Sequence, residues 1–149
     1  MLGTCFLSKG GSRYLAHTHK AGVWMSFLYA IARARRTLFI ADLYGPRSET
    51  RGWRPPVEKC GKDVKIRYLS NRTSGALKSG VAEEKSSRGE NFEARWVSDP
   101  EFTNCVYFVD DVECWTVGIS TSHSVPTASE FGRSLRVKYE DLWLRAIEV

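Results

Sequence analysis

Histidine is scarce in this sequence: His17, His19 and His123 are its whole complement, beside four cysteines at Cys5, Cys60, Cys105 and Cys114. No two cysteines form a Cys-x-x-Cys pair and only His123 falls in the C-terminal half, so the ligand spacing of a zinc site is missing. There is no Gly-x-Gly-x-x-Gly and no phosphate-binding loop, which removes the usual routes to a nucleotide. Long apolar runs are lacking too. The most apolar stretch, Val23 to Ala32, is too short to span a bilayer and runs into Arg33, Arg35 and Arg36. The opening MLGTCFLSKG has no charged region followed by an apolar core, so it is not a signal peptide. No metal and no cofactor are expected. Cysteines without a pattern read as reduced thiols in a cytoplasmic setting, with Cys105 and Cys114 buried in apolar strands.

What is present suits one globular domain spanning residues 1–149. With 42% hydrophobic, 12% aromatic and 26% charged residues, the composition is that of a folded chain, not a disordered one. A chain of this size hides about 70% of its unfolded surface and needs no disulfide or metal to fold. The net charge of +5 is unevenly spread. Residues 33–72 hold eleven Lys or Arg against Asp42, Glu49, Glu58 and Asp63, whereas Glu90 to Glu113 hold seven acids opposed only by Arg95. Either these are solvated loops, or the basic half is a surface for phosphate or an acidic partner.

The hydrophobic pattern orders the elements. A short strand is expected near Cys5-Phe6-Leu7. Trp24, Phe27, Leu28, Ile31 and Ala34 recur at helical spacing from about Val23 to Arg36, with the arginines in the last turn. The run Thr37 to Tyr44 is almost continuously apolar, as in an inner strand covered on both faces. A polar loop with Pro55 and Pro56 leads to a second strand, Val64 to Leu69, in which Val64, Ile66 and Tyr68 alternate with Lys65 and Arg67. Residues 70–90 are either a loop or a short helix around Ala76–Lys85, and Phe92 to Val97 is a third strand. Val106 to Gly118 reads as a hairpin turning at Asp110-Asp111. A loop through Ser120–Ser124, a short strand Ser134–Val137 and a helix of about ten residues, with Tyr139, Leu142, Trp143 and Ile147 on its apolar face, complete the chain. The natural packing is α/β: a single mixed β-sheet flanked by helices. Trp24, Phe27, Ile31, Phe39, Ile66, Phe108, Trp115 and Trp143 are the expected core.

The helix with Phe27-Leu28 and Ala30-Ile31, the arginine cluster, the strand Leu38-Phe39-Ile40-Ala41-Asp42 and the strand-turn-strand Val106 to Gly118 together resemble one repeat of the phospholipase D-like superfamily. The resemblance covers about residues 23–147 in order of elements. Within the superfamily the chain is most similar to degenerate single-repeat domains, such as the C-terminal domain of MIT-domain proteins. The resemblance implies a His-x-Lys-x4-Asp motif followed by a glycine on the next strand, with the histidine as nucleophile to phosphorus and the lysine neutralising the phosphate oxygens. Asp111, seven residues before Gly118, puts Asn104 in the histidine position and Val106 in the lysine position. Sliding to Asp110 puts Thr103 and Cys105 there instead. Neither register restores the pair, so catalysis is not expected. Single-repeat relatives pair about a two-fold axis, which implies a homodimer.

His17 and His19 form a His-x-His with no carboxylate nearby in sequence, more simply a polar pair before a helix. The run Ser120 to Ser124 with His123 does not make a triad. Asp42, at a strand end, is most simply an acid paired with an arginine. Trp53 among Arg47, Arg51 and Arg54 either stacks on a base or folds back on the surface. Three functions follow: a non-catalytic phospholipase D-like module that self-associates or binds an acidic protein; a nucleic-acid or anionic-lipid binder using the basic region 33–72, with Arg47, Arg51, Arg54, Lys65 and Arg67 as its anion-binding candidates; and a phosphodiesterase or nuclease with a displaced site.

Overall fold

The computed structural model describes residues 4–9, 12–17, 31–43, 57–117 and 122–149. Nine strands form one mixed sheet. In chain order they are β1 (Thr4–Lys9), β2 (Ser12–His17), β3 (Thr37–Asp42), β4 (Lys65–Ser70), β5 (Phe92–Trp96), β6 (Cys105–Val109), β7 (Glu113–Val117), β8 (Ser122–Pro126) and β9 (Ile147–Glu148), in the spatial order β1-β2-β8-β7-β6-β3-β4-β5-β9. β3, β4 and β5 are parallel, and the remaining neighbours pair antiparallel. Among the described residues two long helices cover the sheet: α1 (Gly75–Arg88), which crosses from β4 to β5, and α2 (Glu130–Arg145). No helix among them is long and apolar enough to cross a membrane.

Both helices start where a serine caps them. Ser74 Oγ accepts the Leu77 N–H at 3.0 Å, and Ser129 Oγ accepts the Gly132 N–H at 3.1 Å. α1 ends at Gly89, whose φ of +58° suits a residue without a Cβ. It buries Leu77 and Val81, then continues the same stripe with Glu84 and Arg88. The Arg88 guanidinium lies 3.1 Å from the Glu84 carboxylate and donates to the carbonyls of Val57, Cys60 and Gly61, so the buried charge is fully engaged. α2 buries Gly132, Leu135, Tyr139, Leu142 and Trp143.

The two faces of the sheet hold separate cores. Leu38, Ile40, Ile66, Tyr68, Cys105, Tyr107 and Trp115 meet Ile31, Val57, Leu77 and Val81 on one side. Phe39, Ala41, Leu69, Val106, Phe108 and Cys114 meet α2 and Phe102 on the other. Of the expected core, Ile31, Phe39, Ile66, Phe108, Trp115 and Trp143 are buried, while Trp24 and Phe27 lie outside the described residues.

Several expectations are corrected. Ser134–Val137 is not a strand: it lies inside α2, where Leu135 is buried and Val137 is 71% exposed. The last helix has 16 residues, not about ten. Ile147 belongs to the edge strand β9 and is 62% exposed, not on an apolar helix face. The expected loop through Ser124 is strand β8 from Ser122 onward. The helix expected to reach Arg36 ends by Ala32, and Arg35 and Arg36 lie in the turn into β3; its residues 23–30 lie outside the described set. Residues 75–88 resolve the loop-or-helix choice in favour of a helix.

Candidate functional site

The carboxyl ends of parallel strands are where α/β sheets place ligand sites. Here Asp42, Ser70 and Trp96 end β3, β4 and β5 in register. Cys105 begins β6 one step beyond the Ala41↔Val106 pair and is therefore level with Asp42. The Tyr68 hydroxyl donates to Asp42 Oδ2 at 2.8 Å, and Cys105 Sγ lies 3.9 Å from Asp42 Oδ1. Burial, reinforced by the Asp42 charge, pushes the Tyr68 phenol well above its ordinary value, and burial does the same to Tyr107. This end of the sheet is a nearly dry constellation of one carboxylate, two phenols and a thiol.

The motif positions are distributed, not gathered. Asn104 is exposed and its backbone is pinned by Tyr139, which receives the Asn104 N–H at 3.2 Å and donates to the Asn104 carbonyl at 2.9 Å. Val106 is completely buried beneath α2. Cys105 faces the opposite side, among the aromatic core. Asp110 and Asp111 sit in the hairpin turn at the far end of β6, a strand's length of roughly 16 Å away. Both have positive φ, 53° and 56°. Asp110 binds backbone N–H groups of the turn before β3, and Asp111 is exposed and paired with Arg136 at 2.8 Å. Gly118, His19, Trp53, Arg47, Arg51 and Arg54 lie outside the described residues. His17 ends β2 opposite Ser122. No group of His, Cys, Asp or Glu suited to a metal ion occurs among the described residues.

A second site lies on the α2 face, beside the helix at the amino ends of β3 and β4. It is an open groove of about 240 Å³ lined by Thr37, Phe39, Lys65, Arg67, Glu90, Glu93, Asp111 and Arg136. Along its edge guanidinium groups and rings alternate. Arg95 and Arg67 each stand 4.7 Å from the centroid of Trp143, and Arg67 is 5.9 Å from that of Phe39. Arg136 is 5.6 Å from Phe39 and 4.8 Å from Phe108. Such stacks orient the planar cations as well as attract them. Glu140 accepts from Arg67 at 2.9 Å and forms an ion pair with Arg136 at 3.1 Å. Sequence reading named Lys65 and Arg67 but missed Arg136 and Glu140, because the stretch holding Arg136 read as a strand. Their i, i+4 spacing was the available signal.

Charge is segregated. Lys and Arg balance Asp and Glu in residues 31–43, 57–117 and 122–149, so the net charge of +5 comes from Lys9, Arg13, Lys20, Arg47, Arg51 and Arg54 against Glu49.

The sequence matches no protein-family model, and no curated protein matches it. Solved structures do share its architecture. TrmBL2, an archaeal chromatin protein whose structure shows a novel mode of DNA binding, superimposes with a TM-score of 0.67 at 13% identity, over 91% of this chain and 53% of that one. This chain thus spans about half the length of TrmBL2. NucT from Helicobacter pylori gives a TM-score of 0.67 at 10% identity, over 93% of this chain and 99% of NucT. Nuc from Salmonella typhimurium, a phospholipase D family member, gives 0.59 at 12% identity, over 85% and 90%. The chain therefore has a phospholipase D-like fold, a single mixed sheet flanked by helices.

Proposed function

We propose that the chain is a non-catalytic phospholipase D-like module that acts by binding and assembly, with a second copy of itself as its first partner. The observation that carries this reading is the state of β6. Phosphodiester hydrolysis on this fold asks for a nucleophile and a cation on alternate residues of one strand. One register offers an exposed Asn104 and a sealed Val106, the other Thr103 and a thiol buried beside a carboxylate. The reading puts the chain in the cytoplasm, in keeping with the reduced state of Cys60, Cys105 and Cys114.

The expected outcome is no hydrolysis of bis-p-nitrophenyl phosphate, with or without divalent metal, and a dimer in size-exclusion chromatography with light scattering. Turnover by the wild type that Asn104→Ala, Cys105→Ala or His123→Ala removes would establish a displaced active site and end this reading. A strictly monomeric chain would end its self-association part.

A second reading, binding of nucleic acid or anionic lipid, draws on the charge segregation. The positive excess falls outside residues 31–43, 57–117 and 122–149, with Arg47, Arg51 and Arg54 among the residues that carry it. The DNA binding of TrmBL2, a protein of the same fold, is in keeping with it.

A further inference from the structure

The groove beside α2 contains three cations whose hydrogen-bonding capacity is largely unspent. Arg67 bonds through Nη1 alone, to the two carboxylate oxygens of Glu140 at 2.9 and 3.2 Å. Arg136 forms ion pairs through Nη2, with Asp111 at 2.8 Å and Glu140 at 3.1 Å. Lys65, exposed on the same wall, has no carboxylate partner among the described residues. A guanidinium has five N–H donors in a rigid fork, so most of the donors of Arg67 and Arg136 are available to a ligand.

Rings as well as carboxylates hold these guanidiniums. Arg67 lies between Phe39 and Trp143, and Arg136 between Phe39 and Phe108. These ring contacts do not depend on which anion the guanidiniums face. Glu140 occupies the position between them, where one oxyanion bridges two forks. A phosphate bridging the same pair makes the same charge-assisted bonds and adds oxygens for Lys65 and the Thr37 hydroxyl.

We propose that this groove binds a single phosphate group, with Lys65, Arg67 and Arg136 as its ligands and Glu140 as the internal counter-ion that it displaces. Glu90, Glu93 and Asp111 balance the three cations of the lining, and a groove held close to neutral favours one phosphate over a run of them. The site lies at the opposite end of the strands from Asn104 and Cys105, so it stands whether or not the chain is catalytic.

The test is an NMR titration of the full chain with inorganic phosphate at constant ionic strength, following backbone amides and arginine Nε–H signals. Saturable shifts confined to Thr37, Lys65, Arg67 and Arg136 are expected. Lys65→Ala, an exposed change that leaves the fold intact, weakens phosphate about three- to tenfold. Glu140→Gln tightens it about threefold, within the range of a partly exposed charge pair. Glu130→Gln, at the start of the same helix, leaves it unchanged. Shifts that do not saturate or that spread over the surface would overturn the proposal, and so would equal effects of Glu140→Gln and Glu130→Gln. An oligothymidylate competitor distinguishes the source. Displacement of phosphate from these signals assigns the groove to a nucleic-acid backbone phosphate, and its retention to a small phosphate ester.

Discussion

Asp110 Oδ1 accepts the backbone N–H of Thr37 at 3.0 Å, tying the turn of the β6–β7 hairpin to the first residue of β3. The same carboxylate takes the N–H groups of Arg36 at 2.7 Å and Arg35 at 3.0 Å. One side chain thus closes the backbone of a turn that no helix continues. Burial alone raises the Asp110 pKa, but the three N–H donors and the Arg36 charge outweigh it and hold the carboxyl below its ordinary value.

Asp110→Asn is expected to lower stability by about 1–2 kcal/mol at pH 7, as three charge-assisted bonds become ordinary ones. Because the folded pKa is depressed, the contribution is complete above the ordinary aspartate value of about 3.9 and is lost as pH falls through the lowered one. Urea unfolding of wild type and variant should therefore differ at pH 7 and draw together as acid protonates the carboxylate. A difference that persists undiminished in acid would show that the carboxylate charge is not what holds the turn.

The Glu84–Arg88 pair gives a second expectation. Both side chains are out of solvent, so removing either leaves an uncompensated group. Glu84→Ala should cost about 3 kcal/mol. Arg88→Ala should cost more, since it also strips donors from the carbonyls of Val57, Cys60 and Gly61. Chemical denaturation reads both values, and a smaller loss for Arg88→Ala would contradict the arrangement.

That pair also explains what the sequence concealed. The hairpin, β3 and β4 were legible because their apolar residues fill both faces, or one face at a period of two. α1 was ambiguous because its buried stripe passes from Leu77 and Val81 to Glu84 and Arg88, so hydrophobicity stops halfway along a helix that continues. α2 was half misread because its buried stripe begins at Gly132, which carries no apolar signal, and because Ser134-Leu135-Arg136-Val137 mimics strand alternation. The candidate sites suffered likewise. Asp42 was visible at a strand end, but its Tyr68 partner joins it only through the parallel pairing of β3 with β4. The acids of the motif search were visible too, yet nothing local in sequence shows Asp110 serving the backbone of residues 35–37.

Gly132 supports a third prediction. A Cβ at this position would stand 2.4 Å from the Pro126 carbonyl oxygen and 2.9 Å from Thr127 Cα, both of them backbone atoms. Alanine is the better helix former by about 1 kcal/mol. Nevertheless Gly132→Ala should destabilise by about 2 kcal/mol or more, because α2 must move off β8. A thermal melt showing unchanged or higher stability would mean that the helix can shift freely there.

Thiol chemistry checks the core. Burial pushes the Cys60 thiol up to about 11 and the Cys114 thiol up to about 12, against the opposing pull of Arg88 and Arg136 respectively. At pH 8 the thiolate fraction of each is then on the order of one in a thousand or less. Ellman's reagent should leave both unreacted in the native chain, and all four cysteines of the sequence should react in guanidinium chloride. Rapid native labelling of Cys114, identified by peptide mapping, would contradict the packing beneath α2.

The last expectation concerns the outlying charge. Residues 31–43, 57–117 and 122–149 are electroneutral, so long-range attraction to a polyanion is expected from the residues that carry the excess, Arg47, Arg51 and Arg54 among them. Each phosphate neutralised by a cation releases counter-ions and adds about 0.9 to the slope of log affinity against log salt. Replacing these three arginines by glutamine should therefore flatten that slope for duplex DNA by about 2–3, and weaken binding alike across unrelated sequences, since backbone phosphates carry no sequence information. Fluorescence anisotropy at two or more salt concentrations measures both. If wild type binds and the triple variant keeps the same slope, those arginines are solubilising surface and another face holds the anion. If the slope flattens while the phosphate shifts at Lys65 and Arg67 persist, the arginine segment and the α2 groove are separate sites.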